Sequence, residues 1–299
     1  MATIKDWMDA ARPRTLPLSL SGIIVGTGIA FSQGFIDWTI FLLALFTTIS
    51  FQILSNLAND YGDGVKGTDN ENRIGPDRAI QSGAITAKQM KNAMVLWVVL
   101  SFVFAGALIY FGTQNLPVQM IYFYIVLAVL CVIAAITYTV GKNAYGYNGM
   151  GDIMVFLFFG LVAVLGVYTL YSKQLDWVNL LPACTIGFLS TAVLNLNNMR
   201  DRASDILSNK NTLVVKMGAM KAKYYHAFLV VFAMLTWVYF LSVKDYRWEF
   251  ISMFPFFLLT QHLKRVAKAT DAKAFDPELK VVSLSAFFIS ILYFISIWF

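Results

Sequence analysis

Two short stretches gather most of the side chains in this sequence that could do chemistry. The first runs N-L-A-N-D-Y-G-D-G-V-K-G-T-D from Asn56 to Asp69. In helical register Asn56 and Asp60 stand one turn apart, as do Asn59 and Asp63, and Asp60 and Asp63 are three positions apart. Four oxygen-bearing side chains then line adjoining faces. Carboxylates stacked this closely repel one another, so the arrangement gains nothing unless a cation sits among them. The second stretch, N-L-N-N-M-R-D-R-A-S-D from Asn195 to Asp205, puts Asn197, Asp201 and Asp205 at successive four-residue steps, flanked by Arg200 and Arg202. Asp69 lies beyond Gly64 and Gly67, where helical register is lost, and is not expected among the ligands.

A diphosphate held through Mg²⁺ reconciles two acidic clusters with the basic residues beside them. Mg²⁺ takes one or two carboxylates and completes its shell with water and phosphate oxygens. Calcium suits the pattern less well, because no 12-residue EF-hand loop is present and two separated clusters favour bridging metals over one closed cage. Lys142, Arg73, Arg78 and Arg200 are the expected phosphate clamp, positioned to carry the charge of a departing pyrophosphate. The loop R-I-G-P-D-R-A-I-Q-S-G from Arg73 to Gly83 has Gly, Pro and two Arg but no phosphate-loop spacing. The bland alternative makes both clusters ordinary polar caps of membrane helices. Cys131 and Cys184 lie in apolar runs and read as packing residues. His226 and His262 are far apart in sequence, lack metal-ligand spacing, and read as exposed or interfacial.

The elements that must position these groups are membrane helices. Of 299 residues, 58% are apolar and 13% charged, more oily sequence than a soluble core of this size needs. Runs long enough to cross a hydrocarbon core lie near 17–33, 38–57, 92–112, 117–139, 152–171, 177–196, 224–243, 248–263 and 281–299. The eighth is the weakest, being short, interrupted by Pro255 and ending in polar residues. The formal charge of +6 does not point to nucleic acid, because the basic residues sit in short loops. With the N-terminus cytoplasmic, all 23 Lys and Arg except Lys173, Lys244 and Arg247 fall on the cytoplasmic side. Nine spans in one polytopic domain covering 1–299 is therefore the expected all-α architecture, with both acidic clusters facing the cytoplasm and no cleaved leader. Four crossings separate the cluster after the second span from the cluster after the sixth, so the two clusters end parallel helices, as in an internal repeat with its site at the repeat interface. In the fifth span Phe156, Phe158, Phe159 and Tyr168 could face an allylic cation, though aromatic side chains on membrane helices more often pack or face lipid.

The two clusters resemble the paired Asp-rich motifs of UbiA-superfamily prenyltransferases, and the nine-span layout is similar to that family's. Within it, A-R-P-R-T-L-P from Ala11, L-A-N-D-Y-G-D-G-V-K-G-T-D from Leu57, R-I-G-P-D-R from Arg73 and N-K-N-T-L-V-V-K-M-G from Asn209 resemble the branch that prenylates 1,4-dihydroxy-2-naphthoate. The resemblance implies Mg²⁺ ligation by Asn56, Asp60 and Asp63 in the first motif and Asp201 and Asp205 in the second. It implies a Y-x-x-x-K element in Tyr138 and Lys142. Asn59, Arg73, Arg78, Asn197, Arg200 and Asp152 are the expected substrate-binding residues. The segment after Tyr138 lacks a Pro expected there, and Asp152 stands where the branch commonly has Glu. The implied partners are a polyprenyl diphosphate, a small aromatic acid and membrane lipid, in the inner membrane of a bacterium. Other acceptors, such as 4-hydroxybenzoate, homogentisate or a chlorophyll-type ring, stay open at this level. An ion-coupled transporter is a further alternative, for which acids near the bilayer midplane and broken helices would be expected.

Overall fold

The structure, a computed structural model, describes residues 2–68, 74–244 and 246–299. It is helical throughout: α1 (Ile4–Ala11), α2 (Leu16–Ser32), α3 (Trp38–Lys66), α4 (Ala87–Gly112), α5 (Val118–Thr137), α6 (Gly151–Val155), α7 (Val167–Ser172), α8 (Leu180–Leu207), α9 (Leu213–Met217), α10 (Ala219–Val243), α11 (Phe254–Lys268) and α12 (Asp276–Ser296). Between α6 and α7 the chain is π-helical over Phe156–Gly166, so the three pieces form one continuous rod. Among the described residues eight helices are long and apolar enough to cross a membrane, and the chain is an integral membrane protein.

The weak eighth run is the exception. α11 has 15 residues, short of a full span by itself. Lys223 near the start of α10 donates to the carbonyls of Ala267 and Ala269, just past α11. α11 thus runs back beside α10, lengthened at its start by a 3₁₀ stretch over Trp248–Met253. Of the nine runs read from the sequence, eight are helices of full span length among the described residues, and α11 is the shorter ninth.

Sequence explains the tight centre. Lipid offers no hydrophobic drive between helices, so small residues that let backbones approach decide the packing. A Cβ on Gly22 or Gly26 would strike the π-helical stretch at Phe159 O and Val164 O, and one on Gly160 would strike Gly187 of α8. α2, the π-helical stretch and α8 therefore meet almost backbone to backbone. α4 and α5 lie outside this centre and expose Val95, Val99, Tyr122 and Ile133 on their outer faces. α3 starts on Asp37, whose carboxylate accepts from the amides of Thr39 and Ile40, and stops at Gly67 in the left-handed region at φ 71°.

Candidate active site

A cavity of about 860 Å³ opens between α2, α3, α5, the π-helical stretch, α8 and α12. On α3 its wall runs from Ala44 to Asp63, which at 1.5 Å per residue is about 28 Å, close to the full hydrocarbon thickness. One end is polar and carries both acidic clusters. The remainder is walled by apolar residues, including Leu108, Leu127, Cys131, Phe158, Val162 and Leu170.

α3 and α8 end side by side at the polar end, and each cluster splits into two roles. Asp60 is 1% exposed and does not itself line the cavity. Its carboxylate accepts from Arg12 at 2.6 Å, lies 3.6 Å from Arg78 Nε, and takes the Ala79 amide at 3.4 Å. Asp63, one turn on, faces the cavity, accepting the Tyr147 hydroxyl at 2.7 Å and pairing with Lys210 at 3.3 Å. On α8, Asp201 is held by its neighbour Arg200 through two hydrogen bonds, at 2.7 and 2.8 Å. Arg200 also donates to Asn197 at 2.9 Å and pairs with Asp276 at the start of α12 at 2.6 Å. Asp205 acts with Asp63 on the Lys210 ammonium. Burial alone would depress Lys210, but those two carboxylates more than reverse it and hold the ammonium above an ordinary lysine. Lys210 is thus a cation of the chain itself, standing where the two clusters meet.

Asn56 is spent on architecture. Its amide donates to Ala11 O and the Thr15 hydroxyl and its oxygen accepts from Gln52, fixing the turn that carries Arg12. Tyr138 lines the cavity, and burial pushes its hydroxyl up to about 12. Tyr147 is likewise raised, first by burial and then by Asp63, so its hydroxyl stays protonated and donating. Lys66 sits 4.0 Å from the centre of the Tyr147 ring.

The expected site residues separate clearly. Asp63, Asp201, Asp205, Asn56, Asn59, Asn197, Arg78, Arg200 and Tyr138 line one cavity. Asp60 stands behind it. Lys142 is exposed and outside the lining, because the chain turns through Gly141 at φ 97° and carries the side chain outward. Asp152 is buried beside the cavity, hydrogen-bonded to Tyr225, and does not line it. Arg73 and Asp69 lie outside the described residues. Among the aromatic side chains Phe158 and Phe159 face the cavity, whereas Phe156 packs on Phe188 and Tyr168 donates to Gln33 at the far end. His226 and His262, expected apart and exposed, are fully buried with their Nε2 atoms 2.7 Å apart, and His262 Nδ1 meets Glu278. α10 and α11 bring them together, which sequence separation alone cannot show.

Sequence reasoning missed Arg12, Arg14, Tyr147, Lys210, Asp276 and Lys280. Among the described residues of the lining, Arg12, Arg14, Arg78, Arg200, Lys210 and Lys280 face Asp63, Asp201, Asp205 and Asp276. These described residues carry a net positive charge, which suits a polyanion. Among the described residues no three of His, Cys, Asp and Glu close into a ready metal cage. At the polar end the metal donors among the described residues are carboxylate and amide oxygens in two groups, and Cys131 lies in the apolar wall away from them. That set fits Mg²⁺, which shares its shell with substrate phosphates, and does not fit an ion that needs an all-protein cage.

A profile described as the UbiA prenyltransferase family matches residues 19–292. The 1,4-dihydroxy-2-naphthoate octaprenyltransferase of Haemophilus influenzae is 42% identical, over 97% of this chain and 94% of that protein. The Escherichia coli protein of the same name is also 42% identical, over 98% of this chain and 94% of its own length. Among solved structures, a UbiA homolog from Aeropyrum pernix superposes with a TM-score of 0.70 at 11% identity, covering 98% of both chains. One from Archaeoglobus fulgidus, bound to GPP and Mg²⁺, gives 0.61 at 13% identity over 98% of this chain and 100% of that one.

Proposed function

Because this chain belongs to the UbiA prenyltransferase family, we propose that it transfers a polyprenyl group from its diphosphate to 1,4-dihydroxy-2-naphthoate, releasing CO₂ and diphosphate and giving the quinol demethylmenaquinol, at the oxidation level of the acceptor. The observation that carries this reading is the meeting of Asp63 and Asp205 at Lys210, on the positively charged end of a long apolar cavity. A diphosphate belongs at that end and a hydrocarbon tail in the remainder.

In this reading Lys210, Arg78 and Arg200 bind the diphosphate oxygens and receive the negative charge that grows as the allylic C–O bond breaks. Asp60 holds both Arg12 and Arg78 in place. Asp63, Asp201 and Asp205, with Asn59 and Asn197, are the residues that would hold Mg²⁺, which when bound neutralises diphosphate oxygens and eases their departure. The faces of Phe158 and Phe159 and the protonated Tyr138 line the space next to the cation, exclude water from it and leave one side open to the acceptor ring. The ring carbon attacks the allylic carbon, a C–C bond forms, and the carboxylate leaves as CO₂. The basic loops at the acidic end set that end toward the cytoplasm, N-terminus inside, in a bacterial inner membrane.

The test is an assay of purified protein in detergent with an allylic diphosphate and Mg²⁺, offering dihydroxynaphthoate or 4-hydroxybenzoate. Prenylated product from the naphthoate is expected. Product from the benzoate alone would overturn the acceptor, and ion flux in liposomes without product from either would overturn the enzyme reading.

A further inference from the structure

Among the described residues, all but one of the cations that line the cavity are already engaged. Arg12 and Arg78 sit on Asp60, Arg200 on Asp201 and Asp276, and Lys210 on Asp63. Arg14 is engaged as well. Lys280, in the second turn of α12, lines the cavity and has no ion pair or hydrogen bond among the described residues. Its natural partner is Asp276, one turn back on the same helix, but Arg200 takes that carboxylate at 2.6 Å. A hydroxyl in the same condition stands beside it. Ser283, three residues on, lines the same cavity and is 8% exposed, and its hydroxyl has no hydrogen-bond partner among the described residues. Farther along α12, Ser290 and Ser296 instead donate to the carbonyls of Ala286 and Tyr293 in the preceding turn. α12 thus presents to the cavity one ammonium and one hydroxyl that the fold does not use, flanked by the apolar Leu279 and Leu284.

We propose that Lys280 and Ser283 bind the aromatic acceptor, Lys280 pairing with the ring carboxylate and Ser283 donating to the oxygen of the adjacent ring hydroxyl. This rests on the prenyl-transfer reading above and names the part of the cavity that takes the second substrate. Charge supports the assignment: a single ammonium with no acid beside it matches a monoanion, whereas the diphosphate end combines several cations with carboxylates suited to a metal. Spacing supports it too. Residues three apart on a helix carry Cβ atoms about 5–6 Å apart. 1,4-Dihydroxy-2-naphthoate has its carboxylate and a hydroxyl on neighbouring ring carbons, so one edge of the ring meets both side chains. 4-Hydroxybenzoate has the two groups at opposite ends of its ring and cannot offer both to one helix face. Position is the third support. Lys280 lies four residues, about 6 Å, along α12 from Asp276, which holds Arg200 of the diphosphate clamp. An acid head on Lys280 therefore seats the ring beside the diphosphate.

The experiment measures KM for dihydroxynaphthoate and for geranyl diphosphate in purified protein with Mg²⁺, each at saturating levels of the other. Lys280→Met is expected to raise the acceptor KM about thirtyfold and to leave the donor KM within about twofold, with Lys280→Arg recovering most of the loss. Ser283→Ala is expected to raise the acceptor KM about fivefold. A second readout is inhibition by 1,4-dihydroxynaphthalene, which keeps the hydroxyls and lacks the carboxylate. Its inhibition constant against the naphthoate should be unmoved by Lys280→Met and raised by Ser283→Ala. A donor KM that rises as much as the acceptor KM in Lys280→Met would overturn the proposal and put Lys280 in the diphosphate clamp. An acceptor KM unmoved by Lys280→Met would overturn it as well, leaving Lys280 a solvated residue at the cavity rim. Equal loss of the naphthoate and the naphthalene in that variant would also overturn it, because the ring's seat and not its carboxylate would then be disturbed. Lys280 is exposed and Ser283→Ala removes a single atom, so neither substitution threatens the fold. If the unmodified protein prenylates no naphthoate, the prenyl-transfer reading fails and this assignment with it. If it does and the acceptor KM of Lys280→Met does not move, only the assignment fails.

Discussion

The acidic ends of α3 and α8 look alike in sequence but are built differently. In each, one Asp is locked by arginine and the other is left to share Lys210. On α8 the lock is local: Arg200, adjacent to Asp201, clasps it and passes its remaining hydrogen-bonding capacity to Asn197 and Asp276. On α3 it is assembled from afar: Asp60 takes Arg12 from the turn after α1 and Arg78 from the segment before α4. The α8 half is therefore ready once its own helix forms, whereas the α3 half needs two other segments to dock. Asp63 and Asp205 share Lys210 on the cavity lining, Asp201 lines the same cavity in the grip of Arg200, and Asp60 is off the lining.

This contrast can be broken in order of effect. Asp63→Ala removes an acid that faces the cavity and should lower kcat/KM about a thousandfold in steady-state assays of folded protein, a loss of the size seen when one preorganised charge-stabilising group is removed. Lys210→Met should cost about a hundredfold, with Lys210→Arg recovering most of it, because positive charge between the clusters is what matters. Asp60→Ala should cost about tenfold and chiefly raise donor KM, since it leaves Arg12 and Arg78 misplaced without removing a group that faces the cavity. If Asp60→Ala costs as much as Asp63→Ala, the division within the α3 cluster is wrong.

The pH dependence follows from Lys210. Its folded-state value is raised, so the stabilisation it receives from Asp63 and Asp205 is fully present below an ordinary lysine value of about 10.4 and is lost only as pH climbs beyond that. The pH–rate profile of Lys210→Arg should therefore match that of the unmodified protein between about pH 7 and 9.5. An alkaline fall present only in the unmodified enzyme would contradict it. The smallest effect on catalysis belongs to the buried histidine pair, which does not line the cavity. His262→Leu leaves His226 without its partner and should lower stability by about 1–3 kcal/mol, read as a fall in Tm, with kcat/KM unchanged.

Much of the architecture was legible because its signals are one-dimensional. Span length, basic-loop alternation and helical spacing located nearly every membrane pass and both clusters. α11 marked the limit: its short apolar run could be recognised as weak, but its course back beside α10 shows only in what Lys223 touches at its far end. The residues missed at the site are those whose roles come from tertiary approach. Lys210 lies 147 positions from Asp63 and Arg12 lies 48 from Asp60, and no local pattern announces either pairing. Lys142, which the family resemblance pairs with Tyr138, follows the turn at Gly141 and is exposed outside the cavity lining, whereas Lys210 from another loop stands beside Asp63.

The central claim is that both clusters act on one diphosphate. A double-mutant cycle on Asp63→Ala and Asp205→Ala, reading geranyl diphosphate affinity in the presence of Mg²⁺ by calorimetry, tests it most directly. Strong non-additivity is predicted, with the double variant binding little more weakly than either single one. Losses that simply add would mean that the two acids do not share a ligand, and the account of a single joint site would be wrong.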